Sequence, residues 1–193
     1  MELRLHKFGE EILEQKTKPV SSFDADLKAK AQKMYDIMVE YEGLGLAGPQ
    51  AGLDISIFVI DMRCRRDKDE KIFFSLDSKE LPLDLSMPLF AVNPKVTEIG
   101  EFVVTSEEGC LSFPAIYVEK TRSEQVQLDY FDLEGVPHTI ICDGLFARCI
   151  QHEYDHLQGL CIIDNIHPRA RNKIEAKLKK LKRETKQAKK SIK

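Results

Sequence analysis

Gln151-His152-Glu153-Tyr154-Asp155-His156 places two imidazoles four residues apart, with a carboxylate directly after the first. Residues four apart on a helix share a face, so both rings can reach one divalent metal while Glu153 stays free to move a proton. The chemistry this invites is metal-dependent hydrolysis. Packing alone explains the pattern poorly. Framed by Ile150 and Leu157, these polar groups would be buried at a cost of several kcal/mol unless something satisfies them, and a metal does so. Glu153 follows a ligand by one residue, which keeps its carboxylate near the metal without making it a ligand, the position of a general base. His6, His138 and His167 have no such setting and are expected to be ordinary surface or turn residues.

A catalytic metal needs a third protein ligand and one open position. Downstream, Asp164 and His167 are candidates, although neither has the spacing of a zincin pattern. Upstream, in Glu107-Glu108-Gly109-Cys110-Leu111-Ser112, Cys110 follows a glycine and two carboxylates in a turn-like segment. A thiolate binds zinc or ferrous iron strongly, which makes Cys110 the stronger candidate. The alternative of a buried thiol suits Cys142, Cys149 and Cys161 better. Five cysteines in a chain of 193 residues without a secretion signal argue against a disulfide framework.

The elements that must position these residues can be read from periodicity. Leu27, Ala31, Met34, Ile37, Met38 and Tyr41 have helical spacing, with Ser22 or Asp24 able to cap the start. That helix ends in Gly43-Leu44-Gly45-Leu46-Ala47-Gly48-Pro49-Gln50, and a β-branched run over 55–60 then predicts a buried strand. Residues 63–86 are charged and weakly periodic, and are expected to form a long surface excursion. Strands are expected over 90–93, 96–104 and 124–131, the last turning at Leu133-Glu134-Gly135 into 138–141 as a hairpin. Leu145 to Gln158 alternates at helical period and stops at Gly159, which places the histidine motif inside a buried helix. From Pro168, Ile174, Leu178, Leu181, Ala188 and Ile192 form one apolar stripe on a basic helix.

Length and 42% hydrophobic residues fit one domain with a real core. No apolar signal core opens the chain, and no run approaches the roughly 18 apolar residues of a membrane span, so a cytoplasmic protein with no membrane partner is expected. The net charge of −3 hides a division. Residues 168–193 carry 12 Lys and Arg against two acids, which gives +10 for the tail and leaves −13 for the body. Such a tail suits an anionic partner of its own.

In order along the chain, the glycine segment at 43–50, Glu108-Gly109-Cys110-Leu111-Ser112 and the motif at 151–156 resemble the three motifs of the peptide deformylase family: Gly-x-Gly-x-Ala-Ala-x-Gln, Glu-Gly-Cys-Leu-Ser and Gln-His-Glu-x-Asp-His. The resemblance covers about residues 1–165. It implies that Cys110, His152 and His156 hold one divalent ion, Fe²⁺ in the cell and Zn²⁺, Ni²⁺ or Co²⁺ after purification. Glu153 would take a proton from the attacking water and pass it to the leaving amine. Gln50 through its amide and Leu111 through its backbone N–H would stabilise the oxyanion. Gly45 would bring backbone close to the substrate, and Leu145, Cys149 and His152 would line a methionine pocket. The partners implied are N-formylmethionyl nascent peptides, which would lose formate, and ribosomal RNA met by the basic tail.

Two positions depart from the pattern. Gly48 stands where the family has its second alanine, which is expected to loosen the loop. Tyr117 stands where some relatives carry an arginine that touches the substrate backbone. Glu108 and Arg122 are candidates for an ion pair beneath the site, against the alternative of solvated charges. Two competing functions remain, a zincin-like endopeptidase and a metal-stabilised RNA-binding module. The expected architecture is α+β, with small mixed or antiparallel β-sheets wrapped around a central metal-binding helix. The catalytic unit would span 1–167, with 168–193 a basic amphipathic helix extending the same domain, and the protein is expected to be monomeric.

Overall fold

Asp24 opens the first helix by accepting a hydrogen bond from Leu27 N at 3.0 Å, and α1 runs Ala25–Glu40. Its buried side chains, Leu27, Ala31, Met34, Ile37 and Met38, are those the spacing predicts. The computed structural model describes residues 3–64 and 71–191. After α1 come the strands β1 (Gly45–Ala47), β2 (Ile57–Ile60), β3 (Phe74–Leu76), β4 (Lys79–Glu80), β5 (Leu89–Gly109), β6 (Tyr117–Phe131) and β7 (Pro137–Asp143). Two helices close the chain, α2 (Gly144–Leu157) and α3 (Pro168–Ser191).

The strands join into one seven-stranded sheet in the order β1-β2-β5-β6-β7-β3-β4, with every pair antiparallel. The architecture is the expected α+β arrangement. One core lies between the sheet and α2, where Phe58, Val126, Leu128 and Ile140 meet Phe146, Ala147 and Ile150. A second packs α1 on β1 and β2, and a third gathers Phe113, Ile116 and residues 161–163 under α3. Burying such side chains contributes about 1.5–3 kcal/mol each. The apolar stripe of α3 is therefore core at Ile174, Leu178 and Leu181, whereas Ile192 lies outside the described residues.

Three expectations are corrected. The excursion over 63–86 contributes β3 and β4 to the sheet, with Phe74 and Leu83 buried, and residues 65–70 lie outside the described residues. A strand of three residues leaves no periodic trace, and pairing with β7 supplies what its sequence lacks. Glu107–Gly109 is the end of β5 rather than a turn, because Glu108 pairs with Val118 and Gly109 with Tyr117. His138 lies within β7, its Nδ1 2.8 Å from Asp77 and its Nε2 3.4 Å from Asp132, so it ties two loops together. His6 likewise is half-buried, with Nδ1 2.9 Å from Glu10 Oε2.

Candidate metal centre

The three residues proposed as ligands arrive from two elements. α2 supplies His152 and His156 one turn apart, and Cys110 is the first residue past the end of β5. One donor atom from each of Cys110, His152 and His156 lies within 4.8 Å of the others, with Cys110 Sγ 3.2 Å from His156 Nε2. The other candidates for third ligand are engaged elsewhere. Asp164 Oδ2 accepts from Cys161 N at 2.7 Å, and His167 Nδ1 accepts from Arg169 N at 3.2 Å, where it caps α3.

α2 is fixed to the sheet by a residue to which the sequence assigned no separate role. Gln151 is buried; its Oε1 accepts from Ser123 N at 3.0 Å, and its Nε2 donates to Ser123 O at 2.9 Å and Ala147 O at 3.0 Å. Asp155 has a similar duty. Its Oδ2 accepts from Arg122 Nη1 at 2.8 Å, while Arg122 donates to both oxygens of Glu108, at 2.7 and 2.9 Å. Glu108 in turn lies 3.1 Å from His152 Nδ1, which leaves Nε2 of that ring for the donor cluster. The pair expected beneath the site is thus part of a half-buried four-member network. Burial alone would raise the Glu108 pKa, but the Arg122 guanidinium overcomes it and holds the carboxyl at about 2.

Glu153 is treated differently. It is buried against the same cluster, and burial raises its pKa to about 7. Its Oε2 and His156 Nδ1 have no hydrogen-bond partner among the described residues. A Cβ on Gly45 would collide with Glu153 Oε1, so only glycine allows β1 to approach this carboxylate. His156 is held well below the ordinary histidine range by burial, with the neighbouring His152 ring acting in the same direction. A neutral imidazole is the form that ligates.

Gln50, buried in the turn after β1, accepts from Ala47 N at 2.7 Å. Its Nε2 faces Cys110 Sγ at 3.4 Å and Ser112 Oγ at 3.3 Å. Ser112, the last residue of the second motif, also donates to His6 O at 2.8 Å and so locks the N-terminal segment under the site. Leu111 stands beside Gly43, where an added Cβ would lie 2.7 Å from Leu111 Cδ1. Leu145, Cys149 and His152 are half-buried along one face of α2. The loosening expected at Gly48 is corrected: a Cβ there would meet Ile55 O at 2.6 Å, so neighbouring backbone fills the space. Tyr117 is exposed, its ring resting on Gly109.

Sulfur and two imidazoles form a donor set of borderline softness that suits zinc or ferrous iron, and Oε2 of the buried Glu153 has no hydrogen-bond partner among the described residues. The residues therefore fit a catalytic metal. Glu108, Gln151, Asp155 and Ser112 hold the frame, and their partners Arg122, Ser123 and Gln50 lie on other elements.

Comparison with known proteins agrees with this geometry. The family profile of polypeptide deformylase matches residues 3–172. The peptide deformylase of Opitutus terrae is 40% identical over 189 residues, covering 97% of this chain and 97% of its own. That of Thermotoga maritima is 35% identical over 175 residues, covering 91% and 93%. Among solved structures, a peptide deformylase from Plasmodium falciparum matches with a TM-score of 0.80 at 32% identity, covering 95% of this chain and 97% of that one. A peptide deformylase from Synechococcus elongatus, solved in complex with actinonin, matches with a TM-score of 0.76 at 34% identity, covering 91% and 87%.

Proposed function

The chain belongs to the polypeptide deformylase family of metal-dependent hydrolases, and from that premise we propose that Cys110, His152 and His156 hold the metal while Glu153 moves the proton. The reaction removes the N-formyl group from newly made peptides. The observation that carries the assignment of roles is the convergence of three donors near the buried Glu153, whose Oε2 has no hydrogen-bond partner among the described residues. The bound divalent ion supplies Lewis acidity that polarises the formyl carbonyl and lowers the pKa of water. Glu153, with a pKa raised to about 7 by burial, is suited both to accept a proton and to return it.

In this reading, the water oxygen bonds to the formyl carbon as Glu153 takes its proton, and the carbon–nitrogen bond then breaks. Glu153 hands the proton to the departing amine, and formate leaves beside a free N-terminal methionine. Gln50 Nε2 and the Leu111 N–H would donate to the developing oxyanion. The position of Gln50 Nε2 beside Cys110 supports this. Gly45, with Glu153 packed against it, would bring the β1 backbone close to the substrate, and the half-buried Leu145, Cys149 and His152 face would receive the methionine side chain.

Fe²⁺ is the ion proposed for the cell, with Zn²⁺, Ni²⁺ or Co²⁺ in purified protein; the mixed thiolate and imidazole donor set supports all four. Residues 1–167 would form the catalytic unit, with 168–193 continuing the same domain. Exposed Lys179, Lys182, Arg183 and Lys186 of α3 would meet ribosomal RNA and bring the enzyme to emerging formylated chains. Among the described residues no helix is long and apolar enough to cross a membrane. Work in the cytoplasm as a monomer completes the proposal. Metal analysis of anaerobically purified protein, paired with a formate-release assay on formyl-methionyl peptides, tests it. Formate release without a bound metal would overturn the ligand assignment.

A further inference from the structure

The turn that carries Cys110 has two faces, and the chain's own C-terminal helix covers the outer one. Toward the site, Cys110 Sγ meets His156 and Gln50. On the other side, Phe113 and Ile116 are 0% and 2% exposed, packed with Leu13 and residues 161–163 against Ile174, Leu178 and Leu181 of α3. Cys110 itself packs on this cluster. Phe8 sets its ring 5.0 Å from Phe113, and Lys182 Nζ of α3 sits 5.6 Å above the Phe8 ring. Lys177 Nζ donates to Ala115 O at 3.3 Å. Ala115 holds φ at +58°, a left-handed conformation that an alanine keeps only when its surroundings impose it.

Contacts with Gln50 and His6 hold Cys110 and Ser112 at the front of the turn, and α3 lies against the remainder of it. Phe113 N donates to Cys110 O at 2.9 Å, Ile116 N to Phe113 O at 3.1 Å, and Phe8 N to Ser112 O at 3.0 Å. Loss of the α3 wall would expose two apolar side chains and release the Ala115 carbonyl, so the turn would relax toward conformations in which the thiolate moves. A ligand on a loop holds its geometry only as well as the shell behind it.

We propose that α3 is a positioning element for the metal centre, acting through Leu178 and Lys177 on the 110–116 turn. The tail then governs metal retention as well as any docking. The inference rests on the reading of Cys110 as a ligand. Coupling of this kind is reciprocal: if docked α3 favours metal at Cys110, bound metal favours docked α3.

The test uses full-length protein loaded with Co²⁺. In Leu178→Ala, metal release to a chelator should speed up by about tenfold, the usual scale for loss of a supporting shell, with a smaller increase in Lys177→Ala. The sulfur-to-cobalt absorption band should weaken in both, and Leu178→Ile should restore it. Metal loading of the unaltered protein should also slow amide exchange over 173–186. Leu27→Ala opens a cavity in the separate core of α1, so it should lower Tm without changing metal release. Wild-type release and an unchanged band in both α3 variants would overturn the inference. Should Leu178→Ala fail to fold, Lys177→Ala decides, because that residue is exposed. Cys110→Ala separates the two levels. If it keeps the metal and the band, the ligand reading fails; if it loses them while the α3 variants do not, the positioning role alone fails.

Discussion

Glu153 and Glu108 are carboxylates at one site with opposite environments, and the contrast sets their uses. Burial lifts Glu153 to about 7, while the Arg122 guanidinium outweighs burial and holds Glu108 at about 2. Glu153→Ala should therefore remove nearly all formate release while metal content stays full; loss of metal in step with activity would make it a ligand instead. Cys110→Ala should lose metal and activity together, and Cys142→Ala, buried away from the donors, should cost only the stability of a small cavity. Full activity in the Cys110 variant would end the assignment. Arg122→Ala should cost about 3–5 kcal/mol of stability, because it strands Glu108 in a buried position and frees Asp155. A denaturation midpoint within error of wild type would refute that. That His152 and His156 share a helix face was legible from their spacing, and Cys110 was singled out as a thiolate in a separate upstream motif. The supporting roles of Gln151, Asp155 and Ser112 were not legible, since each depends on a partner distant in sequence: Ser123, Arg122 or Gln50.

At the scale of elements, the β6–β7 hairpin and β3 are joined by His138, which faces Asp77 and Asp132 with the Tyr130 ring 5.5 Å away. The hydrogen bond to Asp77 raises the His138 pKa above the ordinary value despite partial burial, and Asp132 adds to it. The charged ring therefore favours the fold. This contribution is fully present below about pH 6.5 and is lost as pH rises through the higher folded value. Asp77 and Asp132 are both lowered, so they act in the opposite window: their contribution holds above about pH 4 and is lost on acidification. Tm should fall between pH 6 and 8, and His138→Gln should flatten that fall. Parallel Tm profiles in the two proteins would exclude the linkage. Periodicity foresaw α1, α2, α3 and the hairpin, because each buries a regular stripe. It missed β3, β4 and the last residues of β5, where cross-strand pairing overrides a charged or glycine-containing local sequence.

Across the whole molecule, charge is divided between a body of −13 and a tail of +10. Affinity for ribosomes should fall steeply with salt, and truncation after Asn172 should abolish it; equal co-sedimentation of both forms would sink the docking idea. The sequence, with no proposed catalytic residue beyond His156, predicts that this truncation spares hydrolysis of small formyl peptides. Leu178, in the same core as Phe113, predicts the reverse, a truncated protein that sheds its metal. The sheet has a consequence of another kind. Its outermost strands are β1, with three residues, and β4, with two, and β4 consists of Lys79 and Glu80. Beyond its pairing with β2, β5 bends at bulges and exposes Lys95, Glu98, Glu101 and Glu107. Short outer strands, with bulges and charges along the open edge of β5, disfavour pairing with a second copy, so the folded protein should resist fibril growth and edge-to-edge clumping even when highly concentrated.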